Sequence, residues 1–219
     1  MTVIPLRPDL PALPRHMRHL RLDDRGYPVP YFVQWLDGHP DFRIVDTKKM
    51  AEAIHKNLCF VCGRPKGVYH SFVVGPMCTV NRVSAEPPCH RDCAHYAVQA
   101  CPFLTRPLAK RNKHELPEGR VDPAGVMIEH NPGVTCIWTT RSYFLEQVSG
   151  GVLFSVGEPT LVEWFAHGRV ATRAEVDQAM STGLPILQEM AKKDGKAAVA
   201  DLERQVIRAL RYLPEETPA

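Results

Sequence analysis

The stretches CFVCGRP, residues 59–65, and PPCHRDCAHYAVQACPFL, residues 87–104, contain five of the seven cysteines of this 219-residue chain. Zinc takes four nitrogen or sulfur ligands, and proteins commonly supply them as two pairs of residues that are close in sequence. Gly63, directly after the second cysteine, lets the backbone turn beneath an ion. Cys59 and Cys62 are therefore the first pair of a predicted zinc site.

The second pair comes from CHRDC at the first turn of a helix predicted over 90–101. Side chains three or four residues apart share a helix face, so Cys89 with Cys93 and His90 with Cys93 are both possible. We favour His90 and Cys93, because an H-x-x-C step at the first helical turn resembles the treble-clef zinc finger. In that finger a CxxC knuckle, a β-hairpin and a helix N-terminus close on one ion. Cys89 is the alternative ligand.

An iron–sulfur cluster is the alternative to zinc. It would use Cys78, Cys89, Cys93 and Cys101, but their spacing matches no ferredoxin-type run. Cys101 lies on the apolar face of the predicted helix, which indicates a buried thiol. We therefore predict zinc. A set of four protein ligands predicts a structural ion, since catalytic zinc keeps one position open.

The composition is that of a globular protein: 44% of the residues are hydrophobic and 23% are charged, enough to bury a core without disulfides. The chain has no run of 18 apolar residues, and prolines interrupt its first residues where a secretory signal needs an apolar helix. We expect a cytoplasmic protein with no membrane segment, in which the cysteines are reduced. The net charge of +3 does not identify a partner.

The pattern of apolar residues predicts an α+β fold. The first half should contain a β-hairpin over 31–46, a helix capped by Asp46 or Thr47, a strand over 68–74 and the helix over 90–101. The segments VMIEH and VTCIWTT flank Asn131-Pro132-Gly133 and predict a second hairpin, and GVLFSV (151–156) predicts a third strand.

The last third is predicted to be helical. Pro159 should start a helix through TLVEWFAH that Gly168 ends, and the capping box TRAE at 172–175 should start a helix that ends at Gly183. An amphipathic helix is expected over about 196–213. We expect three parts packed as one unit: a flexible arm (1–24), a hairpin with the treble-clef-like module (25–114), and a hairpin with C-terminal helices (115–219).

Basic residues cluster directly after the predicted zinc helix. Arg106, Lys110, Arg111 and Lys113 in RPLAKRNKH are the predicted nucleic-acid contacts, because basic side chains neutralise phosphates. RHMRHLR at 15–21 is a second basic cluster. Neither contains the interleaved aromatic residues that stack on single strands.

Catalytic motifs are scarce in the sequence. It contains no GxSxG, no phosphate-binding glycine loop and no GxGxxG. A His-Asn-His-like endonuclease, with His70, Asn81 and His95 as candidates, is the enzymatic alternative, although no acidic residue stands beside His70. A module that binds only protein is a third hypothesis.

Several segments together resemble one protein family. They are RGYPVPYFV (25–33), DGHPDFRIVD (37–46), VVGPMCTVNRVSAEPPCHRDCAHYAVQACPFLTRP (73–107), GRVATRAEV (168–176) and GLPIL (183–187). Together they resemble a family of uncharacterised proteins of bacteria, phages and plasmids. The resemblance implies a zinc-binding core and a mobile-element setting, and it identifies no catalytic residue. We therefore expect a zinc-stabilised, non-enzymatic accessory protein that binds nucleic acid or a host protein, in an oligomeric state that the sequence leaves open.

Overall fold

The computed structural model describes residues 4–107, 109–110, 112, 114, 116, 124–125 and 131–216. In chain order its strands and α-helices are Val33–Leu36 (β1), His39–Val45 (β2), Thr47–His55 (α1), His70–Val74 (β3), Pro76–Asn81 (α2), Val83–Ser84 (β4), Arg91–Ala100 (α3), Pro102–Thr105 (α4), Thr135–Thr140 (β5), Tyr143–Val148 (β6), Gly151–Val156 (β7), Pro159–Ala166 (β8), Arg169–Val170 (β9), Arg173–Asp194 (α5) and Lys196–Ala209 (α6). Short 3-10 helices span Arg15–Met17 and Leu210–Tyr212. The predicted α+β class is confirmed.

A four-stranded antiparallel sheet in the order β3-β5-β8-β9 forms the centre of the fold. A three-stranded sheet, β4-β7-β6, and the hairpin β1-β2 lie beside it. The strand β5 is buried along its whole length, because it pairs with a strand on each side and both of its faces are covered. It contributes to two hydrophobic cores.

One face of the central sheet packs on helices. Phe72, Trp138 and Trp164 point to this side and join side chains of α2, α5 and α6 in what we call the helical core. Gly183 of α5 lies against Met77 of α2, so closely that a β-carbon at position 183 would stand 2.8 Å from the Met77 sulfur. Any side chain at position 183 would therefore have to displace Met77.

The opposite face of the sheet packs on α3 and on the predicted metal ligands. Ile137 and Phe165, one residue along their strands from Trp138 and Trp164, point to this side. They form what we call the metal core with Met17, Cys59 and Cys93 among other residues. Successive residues of β5 and β8 therefore serve different cores, as the period of two in a strand requires.

Several predicted elements are confirmed. The first hairpin forms, Asp46 accepts hydrogen bonds from the amides of Lys48 and Lys49 at the start of α1, and α3 and β7 lie where the sequence places them. Thr172 and Glu175 form the predicted capping box of α5.

Two predictions for the last third of the chain are wrong. The predicted helix after Pro159 is the strand β8, whose last residues, Trp164, Phe165 and Ala166, are buried against the two cores. Gly168, at φ +76°, lies in the turn between β8 and β9 and ends no helix. The helix predicted to end at Gly183 continues to Asp194, because the glycine serves the close contact with α2.

The prediction of a second hairpin around Asn131-Pro132-Gly133 is only half within the described residues. VMIEH, residues 126–130, lies outside them, and the described partners of β5 are β3 and β8. The strand β6 was not predicted.

The domain boundaries after residues 24 and 114 stay predictions. No helix among the described residues has the length and apolarity to cross a membrane.

Candidate metal centre

Four ligand atoms meet at the edge of the metal core. The Sγ atoms of Cys59, Cys62 and Cys93 and Nδ1 of His90 lie within 4.8 Å of one another, and no other such group exists among the described residues. His90 Nδ1 is 3.4 Å from Cys62 Sγ and 3.8 Å from Cys93 Sγ. Tetrahedral ligands at about 2.0–2.3 Å from one ion stand roughly 3.5–3.8 Å apart. The group can therefore hold a single metal ion.

The first ligand pair lies in a tight turn of the knuckle, residues 58–65. The Cys59 amide donates to the Arg64 carbonyl oxygen at 2.7 Å, and the Gly63 amide donates to the Cys59 carbonyl oxygen at 2.7 Å. The amides of Cys62 and His90 each donate to Cys59 Sγ at 3.4 Å. Amides directed at sulfur favour the thiolate, which is the form that binds metal.

Gly63 is required in this turn for two reasons. Its φ is +72°, and a β-carbon there would stand 2.6 Å from the ring of Tyr31. That ring cannot easily move, because the Tyr31 hydroxyl donates to the Glu52 carboxylate at 2.6 Å. Any side chain at position 63 therefore strains the knuckle.

We expect Gly63→Ala to lower the free energy of unfolding by about 2–4 kcal/mol, from left-handed backbone strain together with overpacking. Gly38→Ala is the matched control, since Gly38 also has positive φ (+83°) but nothing within 4 Å of its would-be β-carbon. It should cost only about 1 kcal/mol. Urea unfolding and competition with a chelator measure stability and metal affinity; equal costs at the two glycines would contradict this account.

His90 is oriented by a contact on its far side. Its Nε2 lies 3.0 Å from the Pro65 carbonyl oxygen. A carbonyl only accepts, so Nε2 carries a proton, and Nδ1 is the nitrogen that faces the cysteines and can bind an ion. The ring of His16 stacks on the His90 ring at 4.3 Å between centroids. The imidazole therefore has the tautomer and the position that a metal ligand needs.

Lys66 supplies positive charge to the thiolate cluster. Three thiolates around a divalent ion leave one net negative charge, and Lys66 is buried with Nζ 2.6 Å from the Leu58 carbonyl oxygen. Burial lowers the pKa of Lys66, while the nearby Cys59 and Cys62 thiolates oppose that shift. The thiolates of Cys59 and Cys62 raise the pKa of His90 to about 10, so that in the absence of an ion a proton competes for the site.

Cys89, the alternative ligand, lies outside the four-atom group. Its thiol donates to the Ser71 carbonyl oxygen at 3.3 Å, and the backbones of Ser71 and Cys89 exchange hydrogen bonds of 2.8 and 3.0 Å. The neighbouring Cys59 and burial raise the pKa of Cys89, which keeps it a thiol. Cys89 therefore ties the second ligand segment to β3.

The cysteines of the alternative iron–sulfur set are divided between the two sides of the sheet. Cys78 packs against the helical core, whereas Cys89 and Cys93 are in the metal core. Burial raises the pKa of Cys78 to about 11, as expected of a core thiol. None of the seven cysteines is in a disulfide. These positions do not form one centre.

Glu163 of β8 anchors the helix that carries Cys93. Its carboxylate accepts two hydrogen bonds from the Arg91 guanidinium, at 2.6 and 2.8 Å, and His95 Nε2 lies 3.1 Å away. Arg91 is the main cause of the lowered pKa of Glu163. This contact fixes α3 on the sheet. No local sequence signal reveals it, because Glu163 is 72 residues from Arg91.

The histidines proposed for a nuclease do not share a site. His70 contacts Tyr143, which packs against the helical core, whereas His95 contacts Phe165 of the metal core. The two rings are therefore on opposite faces of the sheet. Asn81 uses its Oδ1 to accept from the amide of Val83 and caps the end of α2.

The predicted nucleic-acid contacts are partly described. Arg106 and Lys110 are exposed, and Arg111 and Lys113 lie outside the described residues. Asn131, which the sequence did not single out, is 1% exposed, and its Nδ2 lies 2.7 Å from the Phe103 and 3.0 Å from the Arg106 carbonyl oxygen. It fixes the start of RPLAKRNKH, residues 106–114, which we call the basic loop.

A scan against protein-family models found no match to this chain, and searches of curated proteins and of solved structures found no match either. The family resemblance therefore stays a prediction.

Proposed function

We propose that this protein is a zinc-stabilised, non-enzymatic accessory protein that binds nucleic acid. The observation that carries the proposal is the closed Cys3His group, in which four protein atoms occupy all positions of a tetrahedral ion. Such sites stabilise a fold and leave no position for substrate. The ion would hold the knuckle and the start of α3 together, and the chain's own basic side chains would make the contacts.

Zinc fits the ligand set better than an iron–sulfur cluster does. A cluster places several iron and sulfide atoms between its ligands, and ligand atoms within 4.8 Å of one another leave no room for them. The order of a knuckle, a strand and a ligand-bearing helix supports a treble-clef-like module. Mass spectrometry of the native protein should find one zinc per chain and the solution should be colourless; iron with sulfide would overturn this part of the proposal.

The basic loop is the first candidate contact for nucleic acid. Arg106 and Lys110 are exposed directly after the α3–α4 segment, whose end Asn131 fixes. Two cations on a fixed backbone can neutralise phosphates at low desolvation cost.

We expect the double variant Arg106→Glu and Lys110→Glu to weaken binding to duplex DNA by about tenfold or more at moderate salt, and to reduce its salt dependence. The matched control is Lys196→Glu with Arg208→Glu, two exposed cations of α6 that carry the same charge change. Fluorescence anisotropy over a salt series measures both. An affinity as high as that of the unchanged protein would refute the loop as a contact.

A protein partner is the second candidate, favoured by the strand β6. It is an edge strand among the described sheets, and Phe144 and Leu145 on it are 69% and 49% exposed. Exposed apolar edge strands can pair with a strand of another protein. Capture of a partner that persists after nuclease digestion and is lost in Phe144→Lys would favour this function over nucleic-acid binding.

A further inference from the structure

The N-terminal residues 15–21, which we call the basic strap, lie directly on the metal centre. Met17 is 1% exposed in the metal core, and the strap begins with the 3-10 helix Arg15–Met17. The His16 ring stacks on the ligand His90. The strap is therefore held at two points, by a buried side chain and by a ring contact with a predicted metal ligand.

The cations of the strap continue onto the knuckle. Arg15 and Arg18 are exposed and three residues apart, which places them on one side of a 3-10 turn. Arg64 of the knuckle donates from Nε to His19 Nδ1 at 3.3 Å. The Arg21 guanidinium lies over the Trp35 ring, 4.3 Å from its centroid. The strap and the adjacent Arg64 thus carry four guanidinium groups.

These four guanidinium groups have no carboxylate partner among the described residues, and the nearby Asp92 is 3.9 Å from His16 rather than from an arginine. Most other arginines of the described chain do have such a partner: Arg7, Arg25, Arg43, Arg82, Arg91, Arg169, Arg173 and Arg204. Positive charge is therefore left uncompensated at the strap.

We propose that the basic strap and Arg64 form a second contact surface that binds the phosphate backbone of nucleic acid. This inference rests on the proposed function and adds to it a surface separate from the Arg106–Lys110 loop. Guanidinium groups hold phosphate oxygens through paired N–H donors. Contacts with Trp35 and His19 hold the guanidinium groups of Arg21 and Arg64 in place, which reduces the entropy lost on binding. The Trp35 ring is covered by the Arg21 guanidinium and is therefore not free for base stacking. Recognition should depend on charge rather than on base sequence.

The test variant combines Arg15→Gln, Arg18→Gln and Arg64→Gln. Its binding to a short fluorescent DNA duplex of random sequence is measured by anisotropy over a salt series. We expect affinity to fall by about ten- to a hundredfold at moderate salt, and the slope of log affinity against log salt to fall by about 2–3, one for each lost phosphate contact. Bound metal, measured in parallel, should stay at the level of the unchanged protein.

The matched control combines Lys196→Gln, Arg208→Gln and Arg211→Gln, three exposed cations of the C-terminal region with the same total charge change. An equal loss in the control would show that net charge alone matters and would overturn the inference. If the unchanged protein binds DNA and the strap variant binds as tightly, the strap surface is refuted and the proposed function stands. If the unchanged protein binds neither DNA nor RNA, but binds vesicles of phosphatidylserine, both proposals fail.

Discussion

Replacing Cys59 by serine is expected to release the metal ion and to unfold the region around it. Cys59 Sγ accepts hydrogen bonds from two amides and contributes one of the four ligand atoms, so its loss leaves the group one ligand short. Structural zinc contributes roughly 10–16 kcal/mol of apparent binding free energy in small domains, against about 5–15 kcal/mol for the total stability of a protein. We expect a loss of at least about 5 kcal/mol.

Cys89→Ser is the matched control for this substitution. Cys89 is also buried and stands beside the same cluster, and a serine hydroxyl can still donate to the Ser71 carbonyl oxygen. It should therefore retain one metal ion and most of the stability. Metal content and thermal unfolding of both variants decide the point. Loss of metal from Cys89→Ser, together with retention in His90→Ala, would make Cys89 the fourth ligand.

The features that could be predicted from the sequence depend on neighbouring residues. The CxxC pair, the helix cap at Asp46 and the capping box of Thr172 with Glu175 each lie within four residues. The cap and the capping box form as predicted, and the two cysteines share one turn. The H-x-x-C step likewise lies within one helical turn, which is why four residues whose ligand atoms meet in the structure could be named before the fold was known. That they bind a metal ion stays a prediction.

The features that could not be predicted depend on residues far apart in the chain. The apolar run of β8 ends in Trp164, Phe165 and Ala166, which are buried against the two cores. An apolar run without regular alternation does not separate a strand from a buried helix. Gly183 was predicted to end a helix, but it lies inside α5, where it packs against Met77 of α2. Glu163 and Asn131 act on α3 and on the basic loop across 72 and 25 residues. No local pattern reports such contacts.

Trp138→Ala is expected to lower the free energy of unfolding by about 3–5 kcal/mol, the usual cost of removing a large buried side chain. Trp138 is 2% exposed at the centre of β5, and its Nε1 donates to the Gly157 carbonyl oxygen at 3.0 Å. The Tyr212 ring contacts it at 4.9 Å between centroids. The substitution therefore leaves a cavity in the helical core and removes the partner of a buried carbonyl.

This substitution also tests whether the predicted parts fold as one unit. Trp138 faces the helical core, yet its neighbour Ile137 faces the metal core on the same strand. If the two cores unfold together, release of metal and loss of helical circular dichroism will shift by the same amount in urea. Phe144→Ala, at an exposed aromatic of the edge strand β6, is the control and should cost less than about 0.5 kcal/mol. In a cooperative fold the two cores unfold together, because they share the strand β5. Metal that stays bound after the helices have unfolded would therefore show two independent units.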